Sequence, residues 1–415
     1  MQPIRTDVAI IGGGMVGVSI GLACLERGLS VTLYDPGERR RRASYGNAGA
    51  ISRGSLFPVA SPSVMKGLLQ YATNRNAGLR IDYANVLRVL PWITHFLRAS
   101  NETAWRRAAA ALDPFVAGAY AEHERLAALA GASHLLARDG WLKLFRTQQA
   151  FATSQLERDI LADHTVKVEL LDAAAIRILE PALKRPFAAG ILFPQTGHVR
   201  DPGGLLDAYE ALFVAKGGVR LAMSAEAITQ HNQGCTIEAA VPVHAGKVVL
   251  AAGAWSDGLA RRLGYAFPMA AERGYHRHFT RPDGPHLTRT IYDTGGAYVA
   301  APMEQGIRVL SGVELAPRDA PANPAQIEHA VTEARGTLDL GAPVENEPWL
   351  GSRPSTPDGL PIIGWAPRHR DLCFAFGHGH IGLSTGPVTG NIVADLLTGR
   401  QPAIPASAFK PERFL

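Results

Sequence analysis

Near its start the chain reads Gly12-Gly13-Gly14-Met15-Val16-Gly17, glycines at G-x-G-x-x-G spacing. The chemistry such a spacing suits is the holding of a pyrophosphate. Gly12 permits a tight turn, Gly14 lets backbone approach the anion, and Gly17 lets a helix pack on a strand. Met15 and Val16 open that helix, so its N-terminal amides face the negative charge. Asp35 ends the next apolar run, where a carboxylate can accept a hydrogen bond from a ribose hydroxyl. Far along the chain, Gly377-His378-Gly379-His380-Ile381-Gly382 forms a second glycine-rich turn, offering backbone amides to a phosphate or a ring carbonyl. Arg353, between Gly351-Ser352 and Pro354, is the side chain best suited to clamp a carboxylate through two parallel hydrogen bonds. The bland alternative for Arg353 is a surface position or an inter-domain ion pair.

The elements needed to place these groups can be read around them. Asp7 to Ile11 is a short β-branched run, typical of a parallel strand buried on both faces. A helix from Met15 to about Arg27 closes at Gly28, and Ser30 to Tyr34 is a second strand. The stretch Val8 to Leu25 carries no charge, but its five glycines are poor material for a membrane helix, and Asp7 argues against a signal peptide. Lys247 to Leu250 is another buried strand, followed by the small-residue turn Ala251-Ala252-Gly253. Leu372 to Phe376 leads into the second glycine turn, and a helix then runs to about Leu397. A nucleotide domain assembled from both chain ends, with other material inserted, is a flavoprotein layout.

Length and composition set the frame. The 415 residues, 47% apolar and 19% charged, describe an ordinary globular chain of about two domains. A net charge of +5 is too small and too dispersed to argue for nucleic acid. The one dense run, Arg39 to Arg42, reads as a solvated loop near a cofactor phosphate at most. Cys24, Cys235 and Cys373 fit no metal-ligand spacing and suit a reducing compartment. No Cys-His, Ser-His-Asp or metal constellation stands out, so no metal is expected. From Ser63 to about Ala130 the pattern is helical.

Five segments together resemble the D-amino-acid oxidase superfamily of FAD-dependent amine oxidoreductases, within it the bacterial D-amino-acid dehydrogenase branch. They are the N-terminal fingerprint, Ala43 to Ser52, Val248 to Gly253, Gly351 to Gly364, and the Gly377 turn. The resemblance spans nearly the whole chain. It departs at Asp35, where the family more often carries Glu, and either acid can bind a ribose.

The resemblance implies an α/β fold: a Rossmann-like FAD domain with a parallel sheet, and an α+β substrate domain with a mixed sheet. The expected division is 1–58, 190–268 and 348–415 for the cofactor and 59–189 and 269–347 for the substrate. Cofactor contacts are expected from Gly12, Gly14, Met15, Val16, Gly17, Asp35, Ser44, Asn47, Ala48, Gly253, Gly377, Gly379, Ile381 and Gly382. Arg353 matches the family's carboxylate-binding arginine, and Tyr298 a strand tyrosine that adds a hydroxyl to the same carboxylate. His380 could face either the flavin ring or the substrate, whereas His378, Tyr275, His276 and His278 suit structural roles.

The implied reaction is oxidation of an amine α to a carboxylate, with hydride transfer to flavin N5 and an imino acid as product. A D-amino acid is the expected substrate, with D-proline and hydroxy-D-proline the individual candidates. A sarcosine-type N-methyl amino-acid oxidase and a non-catalytic FAD-binding subunit are the alternatives. The electron acceptor stays open among quinone, oxygen and others, as do the oligomeric state and any peripheral contact with the inner membrane. The expected location is cytoplasmic.

Overall fold

The computed structural model describes residues 4–38, 42–67, 70, 73–74 and 78–415. The first of its two large sheets is built on strand Ile4–Ile11, whose last four residues are fully buried. Parallel neighbours flank it on both sides, Val31–Tyr34 on one and Val243–Leu250 on the other. Val219–Leu221 extends the sheet beyond Val31–Tyr34, and Leu372–Phe376 lies parallel to Val243–Leu250. Antiparallel Ile362–Trp365 and the hairpin of Ala227–Gln230 with Cys235–Glu238 complete its eight strands.

Helices Met15–Glu26 and Gly382–Leu397 pack on one face of this sheet, where Val18, Leu22, Ile392 and Val393 share a core with Ile10 and Leu33. The opposite face buries Tyr265, Phe267, Phe374 and Phe376. A strand with cover on both faces must be apolar throughout, which explains the unbroken β-branched runs in the sequence.

The second sheet is mixed and has ten strands. Ala270–Phe279 lies between Gly306–Leu310 and Trp349–Ser355, pairing antiparallel with each. From Gly306–Leu310 the sheet continues through Tyr298–Met303, Thr290–Asp293, Trp141–Phe145 and Ala189–Phe193. One face packs on helix Ala325–Arg335 through Ile327, Ala330 and Ala334. The other face turns toward the end of the parallel sheet.

Several expectations are adjusted by this arrangement. All but the first residue of Ala189–Phe193, and the whole of Trp349–Ser355, fall inside segments assigned to the cofactor domain, yet both strands pair in the mixed sheet. Their partners lie far off in sequence, so local pattern could not allocate them. The helical stretch from Ser63 is broken by strand Leu79–Ile81, and residues 68–69, 71–72 and 75–77 lie outside the described residues. Arg42 is not part of a solvated loop: it is buried and bridges Asp35 and Glu210 at 2.7 and 2.6 Å. Arg39, Arg40 and Arg41 lie outside the described residues. All three cysteines are buried and free. Among the described residues, no helix is long and apolar enough to cross a membrane.

Candidate active site

The C-terminal ends of the parallel strands open into one cavity of about 800 Å³, which extends across to the exposed face of the mixed sheet. In sheets of this kind, ligands sit outside the carboxyl ends of the strands.

At the sheet end, Gly12 turns with φ +116°, and a Cβ there would stand 2.4 Å from the Ala251 carbonyl oxygen. A Cβ on Gly17 would stand 1.9 Å from the Gly12 carbonyl oxygen, so the helix packs on the turn only because both are glycine. Gly14 differs, since a Cβ there meets nothing nearer than Ser44 Oγ at 3.9 Å. Gly12, Gly13, Gly14, Met15 and Val16 all line the cavity, whereas Gly17 serves the packing beneath.

Asp35 also lines the cavity. Its Oδ2 accepts from the Gly13 amide at 2.8 Å, and its Oδ1 from Gly37 N at 2.8 Å and Arg42 Nη2 at 2.7 Å. The acid thereby pins the glycine loop and retains acceptor capacity for a ribose hydroxyl. Ser44 Oγ accepts from Met15 N at 3.2 Å, tying the segment after Arg42 to the helix start. Asn47, Ala48 and Gly253 line the same cavity.

The mixed sheet supplies the opposite wall. Strand pairing sets Trp349, His276, Leu310, Val299, Tyr292 and Lys143 in one transverse row on the face toward the cavity. Lys143 at the far end pairs with Glu157 at 2.6 Å. Arg353 projects from strand Trp349–Ser355, opposite Glu272. Its guanidinium lies across Gly274, where a Cβ would come within 2.5 Å of Nη2. Burial lowers the pKa of Arg353, and the charge of Glu272 opposes that shift. Among the described residues no hydrogen bond engages the guanidinium, which leaves its fork of donors for a planar anion.

Tyr298 does not belong to this wall, which corrects the expectation placed on it. Side chains alternate along a strand, and with Val299 facing the cavity, Tyr298 and Ala300 turn into the core beneath helix Ala325–Arg335. The tyrosine on the cavity side is Tyr292, opposite Val299.

The second glycine turn closes the cavity from above. Gly379, His380, Ile381 and Gly382 line it, while Gly377, at φ +81°, shapes the turn and borders a small neighbouring cavity instead. His380 opens onto the cavity, but the surrounding protein and then the Arg353 charge lower its pKa to about 4. His378 is buried, its Nε2 3.0 Å from Thr389 Oγ1, and burial lowers its pKa to about 3.

Residues 7–396 match the family model described as DAO, FAD dependent oxidoreductase. The chain belongs to the DAO family.

Among the relatives of this DAO-family chain, a D-amino-acid oxidase of Bradyrhizobium diazoefficiens is 33% identical over 428 residues, covering 100% of both chains. A D-amino acid dehydrogenase of Helicobacter pylori is 24% identical over 401 residues, covering 95% of each. Among solved structures, glycine oxidase from Geobacillus kaustophilus superposes with a TM-score of 0.77 at 22% identity, covering 99% of this chain and 100% of that one. L-proline dehydrogenase from P. horikoshii superposes with a TM-score of 0.71 at 18% identity, covering 100% and 98%. These two likenesses establish the shared fold.

The DAO-family chain is an FAD-dependent oxidoreductase, and its cavity fits the cofactor. A glycine loop stands at one end, open space lies over Gly14, and the cavity continues to the mixed sheet where a reacting ring would meet its substrate. Sequence reasoning missed Arg42, Gly274, Tyr292 and Trp349. For Tyr292 the alternation of its strand was readable, but not which face meets the cavity.

Proposed function

We propose that the protein oxidises a D-amino acid, with the substrate carboxylate paired to Arg353 and the side chain lying along the Leu310–Val299–Tyr292 row. The observation that carries this reading is the Arg353 guanidinium, free of hydrogen bonds among the described residues and lining the cofactor cavity. The Bradyrhizobium relative, named a D-amino-acid oxidase and matched over the full chain, supports the same stereochemical class.

When bound, FAD supplies the hydride acceptor, and the imino acid formed is released to hydrolyse or, from a ring amine, persists as a cyclic imine. The chain's residues bind and orient. Arg353 fixes one end of the substrate, and Leu310 and Val299 exclude water beside it. His380 stays neutral at pH 7, so it adds no charge that would compete with Arg353 for the carboxylate. Glu272 stands opposite Arg353 in the sheet; burial raises the pKa of this carboxyl, and the arginine charge offsets part of that shift.

The apolar row favours apolar side chains over charged ones. D-Proline and hydroxy-D-proline are the compact members of that group, supported by His380 at the cavity wall but no longer by Tyr298. Steady-state rates with an artificial electron acceptor test the reading across D-proline, hydroxy-D-proline, D-alanine, D-methionine, D-phenylalanine, D-arginine, D-glutamate, sarcosine and the L-enantiomers. The apolar D-amino acids are expected to lead. A preference for sarcosine, for L-amino acids or for none of these would overturn it.

A further inference from the structure

A polar cluster of two buried histidines and a half-buried glutamate lies under the cavity wall and takes no part in the binding scheme above. His276, His278 and Glu345 bring three potential ligand atoms within 4.8 Å of one another, as a metal site would. A cation is disfavoured there. Arg308, only 3% exposed, donates from Nε to His278 Nε2 at 2.8 Å, placing a guanidinium charge beside the imidazole. Since that nitrogen accepts, His278 carries its proton on Nδ1 and donates it to Glu345 Oε1. Glu345 also accepts the His278 backbone amide at 2.9 Å. Both imidazole nitrogens are thus committed, and Glu345 fixes which tautomer Arg308 meets.

The remaining donors of the cluster converge on three consecutive carbonyls. Arg308 Nη1 donates to Asn47 O at 2.5 Å and to Tyr45 O at 3.4 Å. His276 Nδ1 donates to Gly46 O at 3.2 Å, and its ring stacks on Trp349 with centroids 4.8 Å apart. Gly46 is pressed on the same indole, since a Cβ there would fall 2.1 Å from a ring carbon. Ser44, Gly46, Asn47 and Ala48 line the cofactor cavity, and Asn47 Nδ2 donates to His380 O at 3.3 Å, reaching the second glycine turn.

We propose that Arg308 is a positioning residue for the cofactor, one that seats on His278 and holds the Tyr45–Asn47 backbone, and through Asn47 the His380 turn, in the conformation that receives FAD. The inference rests on the FAD cavity alone and holds whichever amine is oxidised. Arginine suits the task because a single planar fork serves His278 and two carbonyls at once, which an ammonium cannot do.

The test titrates FAD into deflavinated protein, following flavin fluorescence, for wild type, Arg308→Met, Arg308→Lys and Glu345→Ala. Arg308→Met is expected to raise the FAD dissociation constant by about tenfold or more, and Arg308→Lys by less. Glu345→Ala frees the His278 tautomer and moves the constant in the same direction. Refilled with FAD, the variants are expected to show a shifted visible flavin band and a lower kcat at nearly unchanged amino-acid KM. A purely structural role would lower thermal stability while the folded fraction bound FAD normally. FAD constants and spectra equal to wild type in folded Arg308→Met overturn the proposal. Should that variant fail to fold, wild-type values in both Arg308→Lys and Glu345→Ala overturn it equally.

Discussion

The Arg353 guanidinium rests on the bare α-carbon of Gly274, on the strand alongside its own. A methyl group there would come within 2.5 to 2.7 Å of Nη2, Nη1 and Cζ, so the arginine head must move away from the sheet. Because the displaced atoms are the far end of a flexible side chain, folding is affected little and placement of the carboxylate strongly. Gly274→Ala is therefore expected to raise the amino-acid KM about tenfold or more with FAD content unchanged. An unaltered KM would show that the carboxylate is held elsewhere.

Removing the arginine goes further. A charge-assisted pair at a largely desolvated site contributes about 1.5–3 kcal/mol, so Arg353→Ala is expected to raise KM by up to about two decades while the protein stays yellow. Loss of flavin from this variant would instead assign Arg353 to cofactor binding.

The glycine loop separates two effects. Gly17→Ala drives a methyl group into the Gly12 carbonyl and is expected to cost folded yield, seen as a lower Tm of the apo-protein. Gly14→Leu meets open space in the protein and is expected to fold normally but to occupy the pyrophosphate position. A folded Gly14→Leu variant with full flavin absorbance contradicts the cofactor placement.

Tyr292 and Tyr298 give a paired comparison. Tyr292→Ala opens the cavity wall and is expected to change the relative rates for long and short side chains, whereas Tyr298→Phe, on the other face, leaves that ratio as it was. Equal effects on selectivity would place both at the substrate.

Stability carries a pH signature. Burial lowers the pKa of His123 and His198 to about 4 and that of His378 to about 3, from an ordinary value of 6.5. Between these limits the unfolded chain binds protons that the native state refuses, so stability is fully present above pH 6.5 and is lost as pH falls toward 4. Thermal unfolding of the apo-protein is expected to show a flat Tm above pH 6.5 and a progressive fall below it. A Tm unchanged from pH 7 to pH 5 would mean that these imidazoles are accessible to protons in the native state.

The glycine loop, its strand and its helix were legible because each signal is local: the glycine spacing lies between a β-branched run and a helix, and Gly17 meets the carbonyl of Gly12 five residues back. Residue type and the stiff segment around it single out Arg353, which lines the cavity. What escaped was decided by partners distant in sequence. Arg42 looks solvated until Glu210 arrives from helix Pro202–Ala215. Tyr298 and Tyr292 lie on adjoining strands, and sequence gives their alternation but not which face meets the cavity. Gly274 carries no mark in the sequence, since its role is to be crossed by the arginine of a neighbouring strand.

Assignment as a D-amino-acid oxidising enzyme requires that an amino acid of D configuration reduce the bound flavin. The direct measurement is anaerobic mixing of the FAD-loaded protein with matched D- and L-enantiomers, followed at the visible flavin band. Bleaching by apolar D-amino acids, absent with their L-forms and weakened in Arg353→Ala, is the predicted result. A flavin that stays oxidised with every D-amino acid, or that bleaches equally with both enantiomers, rules that assignment out.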